Sequence, residues 1–301
     1  MTALLLIGSG CTYLPPEAQR LWAHDHLAYR NLAYGSASGS QKLDLYVPLT
    51  GTKPYPLIIY VHGGGFVRGD KSRELPRLQA EADARGYAVA SIDYRRLKEA
   101  RFPAQVQDAK AAVAWLRKNA DGYGLDSKRF AIWGVSAGGN IAALVGTTGD
   151  SDVFAPAGTQ PGHYDSLVQA VVDWYGPADF ASIERYDERR QMGGSSPPVL
   201  EDAADQITAQ PKLDAETDPA TEADQNDPPI FIAHGNRDTV VSVQQSIDLA
   251  DALKRRMGST KVELVIVKGA GHRQLQIGTP AMMTRVFDWL DDELVRLQPA
   301  P

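Results

Sequence analysis

The sequence predicts an α/β fold built on a mostly parallel β-sheet, and two observations carry this prediction. Short apolar runs alternate with longer stretches of helical periodicity, as expected for repeated β-α-β units. From residue 57 onward the short runs are almost continuously apolar, which is typical of strands that helices cover on both faces. Eight candidate strands are found, near 28–34, 42–47, 57–61, 88–93, 129–134, 167–173, 229–234 and 262–267.

The segments between these strands complete the fold prediction. The first two strands lie close together with glycines between them, which favours a hairpin at one edge of the sheet. In the segment 103–119, Val106, Ala109 and Val113 form an apolar stripe with charged residues opposite, as in a helix that packs on a sheet. Helical periodicity covers 75–85, 103–119, 139–146, 243–257 and 280–297.

Composition narrows the classes of protein to consider. The 301 residues suffice for one large α/β domain or two modest ones, and 43% apolar with 23% charged residues are ordinary globular values. A net charge of −6, without a basic cluster interleaved with aromatics, argues against nucleic-acid binding. A single cysteine, Cys11, excludes an intrachain disulfide and a CxxC metal or redox site. No HExxH motif or histidine cluster indicates zinc, so we expect no metal and no cofactor.

The strongest motif is a pentapeptide between a strand and a helix. It reads Gly134-Val135-Ser136-Ala137-Gly138, directly after the apolar run 129–133 and before the helix-like stretch 139–145. A G-x-S-x-G in this setting is typical of the nucleophile elbow of serine hydrolases. Its glycines allow a tight turn without Cβ clashes, so we predict Ser136 as the nucleophile.

A glycine-rich loop follows the strand 57–61 and reads His62-Gly63-Gly64-Gly65-Phe66. Acyl transfer passes through a tetrahedral oxyanion, which enzymes stabilise with hydrogen-bond donors aimed at that oxygen. We predict the N–H groups of Gly64 and Gly65 as donors, together with the N–H of Ala137. His62 precedes the glycines, and we expect it to support the loop rather than to act as the base. The alternative is a flexible turn with no role in chemistry.

The base is predicted from the order of residues along the chain. In hydrolases with such an elbow the nucleophile is followed first by Asp or Glu and then by His. Of the six histidines, only His272 follows every plausible acid. It lies in a glycine-rich turn after the strand 262–267, where a loop can carry an imidazole over the sheet edge. The alternative is a surface histidine.

The acid is less sharply determined. Asp238 comes shortly after the strand near 229–234, and its carboxylate would orient His272 and stabilise the imidazolium. Asp173 also ends a predicted strand and is a rival. Asp93 precedes Ser136 in the chain and fits the order poorly.

Two segments stand outside this pattern. Residues 1–27 are predicted as a leader whose apolar start is too short to span a bilayer but resembles the end of a lipoprotein signal, with Cys11 as a candidate lipid anchor. The basic N-terminal region that such signals usually have is missing. The location is therefore either periplasmic, if the segment is a signal, or cytoplasmic, if it is not. Residues 28–298 are predicted as one domain. Within it, 181–227 is either a small cap, with Tyr186, Met192 and Leu200 lining a pocket, or a solvated excursion.

These motifs together resemble the α/β-hydrolases of the HGGG-bearing esterase type, over about residues 28–297. The resemblance extends to the small bacterial acetyl-xylan and feruloyl esterases and to hormone-sensitive-lipase-like carboxylesterases. It implies an α/β-hydrolase fold with an eight-stranded sheet, helices on both faces and at most a small cap. It also implies hydrolysis of short-chain carboxylic esters through an acyl-enzyme, on a small-molecule ester or an acylated carbohydrate. Arg273, where many relatives have a small residue, either narrows the site, contacts an acidic leaving group or faces solvent.

Three other functions share parts of this pattern. An aryl-formamidase-type amide hydrolase can have the same loop and elbow. The stretch 234–253 resembles the C-terminal region of prolyl-oligopeptidase-like peptidases. Such enzymes usually carry a large propeller domain, for which 301 residues leave no room. A catalytically silent binding module would have lost the nucleophile, the base or a glycine donor, and all of these are present. The oligomeric state stays open.

Overall fold

A computed structural model describes residues 19–23, 26–72, 76–149, 151–159, 165–180 and 217–296. The first 18 residues with Cys11, and the segment 181–216 with Tyr186, Met192 and Leu200, lie outside this description. The described residues form a nine-stranded sheet with strand order β1-β2-β3-β5-β4-β6-β7-β8-β9. The strands are β1 (Gln19–Ala23), β2 (His26–Ala33), β3 (Lys42–Pro48), β4 (Tyr55–Val61), β5 (Ala88–Ile92), β6 (Leu125–Val135), β7 (Ala170–Trp174), β8 (Ile230–Gly235) and β9 (Val262–Val267).

All eight predicted strands are present, and β1 adds a ninth at the edge. β1 pairs antiparallel with β2 and lies in the segment that the sequence assigns to a leader. β2 and β3 form the predicted antiparallel hairpin, and β3 also pairs antiparallel with β5. All pairs from β5 through β4 to β9 are parallel.

Helices connect the parallel strands, as predicted. The predicted helix over 280–297 ends as α-helix at Leu290 and continues as a π-helical turn, Asp291–Arg296. The α-helices in the described residues are α1 (Pro76–Arg85), α2 (Ala104–Lys118), α3 (Ala120–Tyr123), α4 (Ala137–Thr147), α5 (Pro219–Glu222), α6 (Val243–Met257), α7 (Gln274–Ile277) and α8 (Pro280–Leu290). None of the described helices has the length and apolar character needed to cross a membrane.

The core lies in two layers, one on each face of the sheet. Successive side chains of a strand point to opposite faces, so β4 contributes to both layers. Ile59 joins a cluster with residues of α2, α4 and α6, whereas Ile58 joins a cluster with residues of α1 and α8. The predicted coverage of both faces by helices is therefore confirmed. Because both faces are occupied, a ligand of this sheet has access mainly at the ends of the strands.

Candidate active site

The predicted elbow is a tight turn between β6 and α4. Ser136 has φ 55° and ψ −125°, a backbone conformation that L-residues rarely adopt. A Cβ on Gly134 would lie 1.8 Å from the carbonyl oxygen of Gly138, and a Cβ on Gly138 would lie 2.2 Å from that of Val61. Both glycines are therefore required by the close approach of turn, helix and neighbouring strand. The turn raises Ser136 at the carboxyl end of the sheet.

The turn after β9 brings an imidazole to this serine. Nε2 of His272 lies 2.8 Å from Oγ of Ser136. On the other side of the ring, Nδ1 of His272 lies 2.7 Å from Oδ2 of Asp238, which follows β8. A carboxylate only accepts, so Nδ1 carries the proton and Nε2 is free to accept one from the serine hydroxyl. The structure thus places Ser136, His272 and Asp238 in one hydrogen-bonded row.

The carboxylate of Asp238 is fully buried and accepts several hydrogen bonds. Its Oδ1 accepts from the backbone N–H groups of Val240 at 2.8 Å and Val241 at 2.9 Å. Its Oδ2 accepts from His272 and lies 3.2 Å from Nε2 of His234. Burial raises the pKa of Asp238, but the hydrogen bonds from His234 and His272 outweigh it and hold the pKa well below its usual value. Asp238 is therefore an anion throughout the neutral pH range.

The rival acid, Asp173, lies elsewhere. It is only 1% exposed at the end of β7, and its Oδ1 accepts from the N–H of Gly176 at 2.9 Å. A Cβ on Gly139 would lie 2.2 Å from that Oδ1, so the side chain faces α4. Within the described residues, Oδ2 of Asp173 has no hydrogen-bond partner, and no contact with His272 is present. Burial raises the pKa of Asp173 to about 6.

This raised pKa predicts a pH-dependent cost to stability. The folded pKa exceeds the unfolded value of about 3.9, so the folded state holds the proton more tightly and stability falls as pH rises from about 4 to about 6. Asp173→Asn removes this dependence. From pH 4 to pH 7, wild type should lose about 2 kcal/mol relative to the variant, because part of the unfolded-state carboxyl is already ionised at pH 4. Urea unfolding of both proteins at these pH values measures the difference, and parallel pH profiles would contradict it.

His62 is buried within the glycine loop. Its Nδ1 donates to the carbonyl oxygen of Gly63 at 2.8 Å, and its Nε2 faces Oδ1 of Asp93 at 3.4 Å. The ring stacks on Tyr94 with centroids 4.6 Å apart, and the Tyr94 hydroxyl donates to the His62 carbonyl oxygen. Both ring nitrogens thus face the loop or Asp93, which leaves neither directed at Ser136. Asp93, the candidate acid that the order along the chain favours least, therefore faces His62.

The loop itself packs against the elbow. A Cβ on Gly63 would lie 3.0 Å from Cβ of Ser136, and Gly64 has a φ of 130° that favours glycine. Within the described residues, the N–H groups of Gly64, Gly65 and Ala137 donate to no protein acceptor. Free donors beside a serine hydroxyl are the arrangement that an oxyanion requires.

Two residues of this cluster are missing from the sequence prediction. His234 is the penultimate residue of β8 and contacts Asp238. Its position four residues before that acid was the signal that the sequence offered. Tyr175 packs its ring edge-to-face against His272, with centroids 4.7 Å apart. Its φ of 46° is unusual for a bulky residue. Arg273 is exposed, and its side chain forms no ion pair within the described residues.

A cavity of about 720 Å³ lies at the opposite end of the strands from Ser136. Its walls include Lys128, Gln169, Pro229 and Lys261, at the amino ends of β6 to β9. Ser136, Asp238 and His272 follow the carboxyl ends of their strands. The cavity is therefore separate from the hydrogen-bonded row, whose chemistry identifies it as the candidate active site.

Comparison with known proteins agrees with this assignment of fold and family. The family model of BD-FAE matches residues 43–253. The chain belongs to the BD-FAE family. Esterase LipC of Mycobacterium tuberculosis (strain ATCC 25618 / H37Rv) is 30% identical over 262 residues, which are 86% of this chain and 62% of LipC. The BD-FAE chain thus spans less than two thirds of the length of this curated relative.

Solved structures show the same fold. A truncated form of a carbohydrate esterase from gut microbiota has a TM-score of 0.77 and 29% identity, covering 90% of this chain and 98% of its own. A bifunctional GH43-CE protein of Bacteroides eggerthii has a TM-score of 0.77 and 28% identity, covering 89% of this chain and 35% of its own. The predicted α/β-hydrolase fold and the resemblance to its esterases are confirmed.

Proposed function

We propose that this BD-FAE chain is a serine hydrolase that cleaves short-chain carboxylic esters with Ser136, His272 and Asp238. The observation that carries the proposal is the 2.8 Å contact between Oγ of Ser136 and Nε2 of His272. A serine hydroxyl is a weak nucleophile by itself, and an adjacent imidazole that takes its proton activates it. The buried, anionic Asp238 stabilises the imidazolium that results.

The geometry supports a two-step reaction. In the first step Oγ of Ser136 attacks the ester carbonyl while Nε2 of His272 takes the hydroxyl proton. The oxyanion accepts hydrogen bonds from the N–H groups of Gly64, Gly65 and Ala137, and the alcohol leaves with the proton from His272. In the second step His272 takes a proton from water while the water oxygen attacks the acyl carbonyl, and Oγ of Ser136 then leaves with the proton from His272, which releases the acid.

The substrate class that we propose is an acylated carbohydrate, with acetyl or feruloyl groups as the acyl part. Its support is the likeness to a protein described as a carbohydrate esterase over 90% of this chain. Release of acetate from acetylated xylan fragments, or of ferulate from feruloyl sugars, tests this finer proposal. Rapid cleavage of simple esters combined with no cleavage of either sugar ester would contradict it and leave the ester hydrolase itself in place.

The test of the reaction is a series of p-nitrophenyl esters from acetate to long acyl chains, beside the p-nitroanilide of acetic acid. We expect kcat/KM to be highest for the short esters and very low for the anilide. A burst of p-nitrophenol of one equivalent per chain would reveal the acyl-enzyme. A folded protein that cleaves no ester would contradict the proposal, and preferential cleavage of N-formyl aryl amides would indicate an amide hydrolase.

The glycine loop provides a second test. A methyl group at position 64 would lie 2.0 Å from the carbonyl oxygen of Arg68, on a backbone with φ 130°. Gly64→Ala should therefore shift the loop and its N–H donors, and kcat should fall about 10²- to 10³-fold, as for loss of an oxyanion donor. Steady-state kinetics with p-nitrophenyl acetate measures the effect.

A matched control is Gly122→Ala in α3, where a Cβ has no neighbour within 4 Å. This variant should keep wild-type kcat. Equal rates for both variants would argue against a role of the glycine loop in the reaction.

A further inference from the structure

His234 is a buried histidine that the proposed reaction does not use directly. Its side chain is completely buried, so both ring nitrogens need partners inside the protein. Nε2 lies 2.9 Å from the carbonyl oxygen of Val241, and Nδ1 lies 2.7 Å from Oγ of Ser246 in α6. A carbonyl oxygen can only accept, so Nε2 carries a proton, and the Ser246 hydroxyl can donate to Nδ1.

The protonated nitrogen of His234 also faces the acid. Nε2 lies 3.2 Å from Oδ2 of Asp238, the same oxygen that accepts from Nδ1 of His272 at 2.7 Å. The other oxygen, Oδ1, accepts from the backbone of Val240 and Val241. Oδ1 therefore has two backbone donors, whereas Oδ2 accepts from His272 and has the Nε2–H group of His234, shared with the Val241 carbonyl, at 3.2 Å.

This arrangement fixes the orientation of the carboxylate. Rotation about the bond to the carboxyl group would exchange the two oxygens, and the backbone donors hold only Oδ1. Val241 connects the acid with His234, because its N–H donates to Oδ1 of Asp238 while its carbonyl oxygen accepts from His234. Without a donor from His234, Oδ2 would be held only by His272, the group that it has to orient.

We propose that His234 is a positioning residue, whose Nε2–H holds Oδ2 of Asp238 in the place from which it orients His272. The inference rests on the proposed esterase function, since it assigns His272 as the base and Asp238 as its partner. His234 does not touch the substrate in this proposal and acts only through the carboxylate.

The first test uses the wild-type protein and needs no turnover. In a protein with isotope-labelled histidine, NMR correlations between ring nitrogens and ring protons show which nitrogen is protonated. We expect a proton on Nε2 of His234 and a low-field proton on Nδ1 of His272. A proton on Nδ1 of His234 alone would overturn the proposal, because the Nε2 lone pair would then face the Asp238 carboxylate.

The second test compares two variants of similar length, His234→Gln and His234→Met. Glutamine keeps an N–H donor near the position of Nε2, whereas methionine has none. His234→Met should lower kcat about 10- to 100-fold with little change in KM, by analogy with the loss of hydrogen-bond partners that orient metal-ligating histidines. It should also shift the low-field proton of His272, and His234→Gln should restore most of both.

A matched control is His26→Met, at another buried histidine with a carboxylate partner. Nδ1 of His26 lies 2.9 Å from Oδ2 of Asp83, between β2 and α1. We expect this variant to lose stability but to keep kcat and the His272 proton signal. If His234→Met behaves like His26→Met, or if His234→Gln is no better than His234→Met, the positioning role is overturned.

The two proposals fail in different ways. A wild-type protein without ester turnover would contradict the proposed function, while the tautomer of His234 and the His272 signal would still report on the contact. A fully active His234→Met would overturn the positioning role and leave the proposed function intact. Should His234→Met not fold, the wild-type tautomer and the activity of His234→Gln still decide the question.

Discussion

Ser136→Ala is expected to lower kcat for p-nitrophenyl acetate about 10⁶-fold, as in serine hydrolases that lose their nucleophile. The reason is that His272 has no other hydroxyl to activate at this position, since Nε2 of its ring faces Oγ of Ser136 at 2.8 Å. The oxyanion donors remain, so a small rate above that in water should persist. Steady-state kinetics at high enzyme concentration, with substrate still in excess, measures the residual rate.

The fold should survive this substitution, which gives the experiment its control. Ser136 sits in a turn with φ 55°, and alanine meets the same backbone restriction as serine. Circular dichroism and urea unfolding should therefore be close to wild type. A phosphonate ester that labels serine nucleophiles should add its mass to wild type and not to the variant. Labelling of Ser136→Ala, or turnover within about tenfold of wild type, would exclude Ser136 as the nucleophile.

Asp238→Asn should cost about 10⁴-fold in kcat, by analogy with the corresponding acid of serine proteases. All four contacts of this carboxylate need an acceptor, two at Oδ1 and two at Oδ2. An amide offers only one acceptor oxygen, so its NH₂ group must face either the two histidines or the two backbone N–H groups. Either orientation disrupts the tautomer of His272 or the turn that carries the acid.

The structure offers a matched control for this substitution. Asp173→Asn makes the same chemical change at a carboxylate that accepts a single backbone hydrogen bond and does not contact His272. We expect kcat within about twofold of wild type for this variant. A near-wild-type rate for Asp238→Asn together with a large loss for Asp173→Asn would show that the rival acid serves the reaction.

The change in stability of Asp238→Asn has a defined pH dependence. Because the folded pKa of Asp238 is depressed, its contribution to stability is present above the unfolded pKa of about 3.9 and is lost as pH falls through the lower folded value. The variant should therefore be destabilised most at neutral pH, and the difference should shrink in strong acid. This trend is opposite to that expected for Asp173→Asn, so urea unfolding as a function of pH distinguishes the two aspartates.

Much of the fold was predictable because its signals are local. Continuous apolar runs mark the buried parallel strands, and the glycines around Ser136 are demanded by contacts within one strand-turn-helix unit. The glycine loop after β4 is recognised in the same way. The order of Ser136, Asp238 and His272 along the chain also needs no tertiary information.

Other features depended on the packing of distant segments. β1 has no long apolar run to mark it, and it is a strand because β2 offers an edge for pairing. Asp173 lies at the end of β7 and Asp238 lies just after the neighbouring β8, so sequence position alone did not separate them. Their difference is one of direction, since Asp173 faces α4 while Asp238 faces His272.

The sequence by itself therefore determined the α/β class, the elbow with Ser136, the glycine loop and the candidate base. Backbone geometry at these places follows from residues that are close in the chain, and glycine spacing records it directly. Only the tertiary structure shows that Asp238, rather than Asp173, contacts His272, and that His234 lies behind Asp238. These choices depend on hydrogen bonds between loops that follow different strands, and their directions are settled when the sheet and its helices pack together.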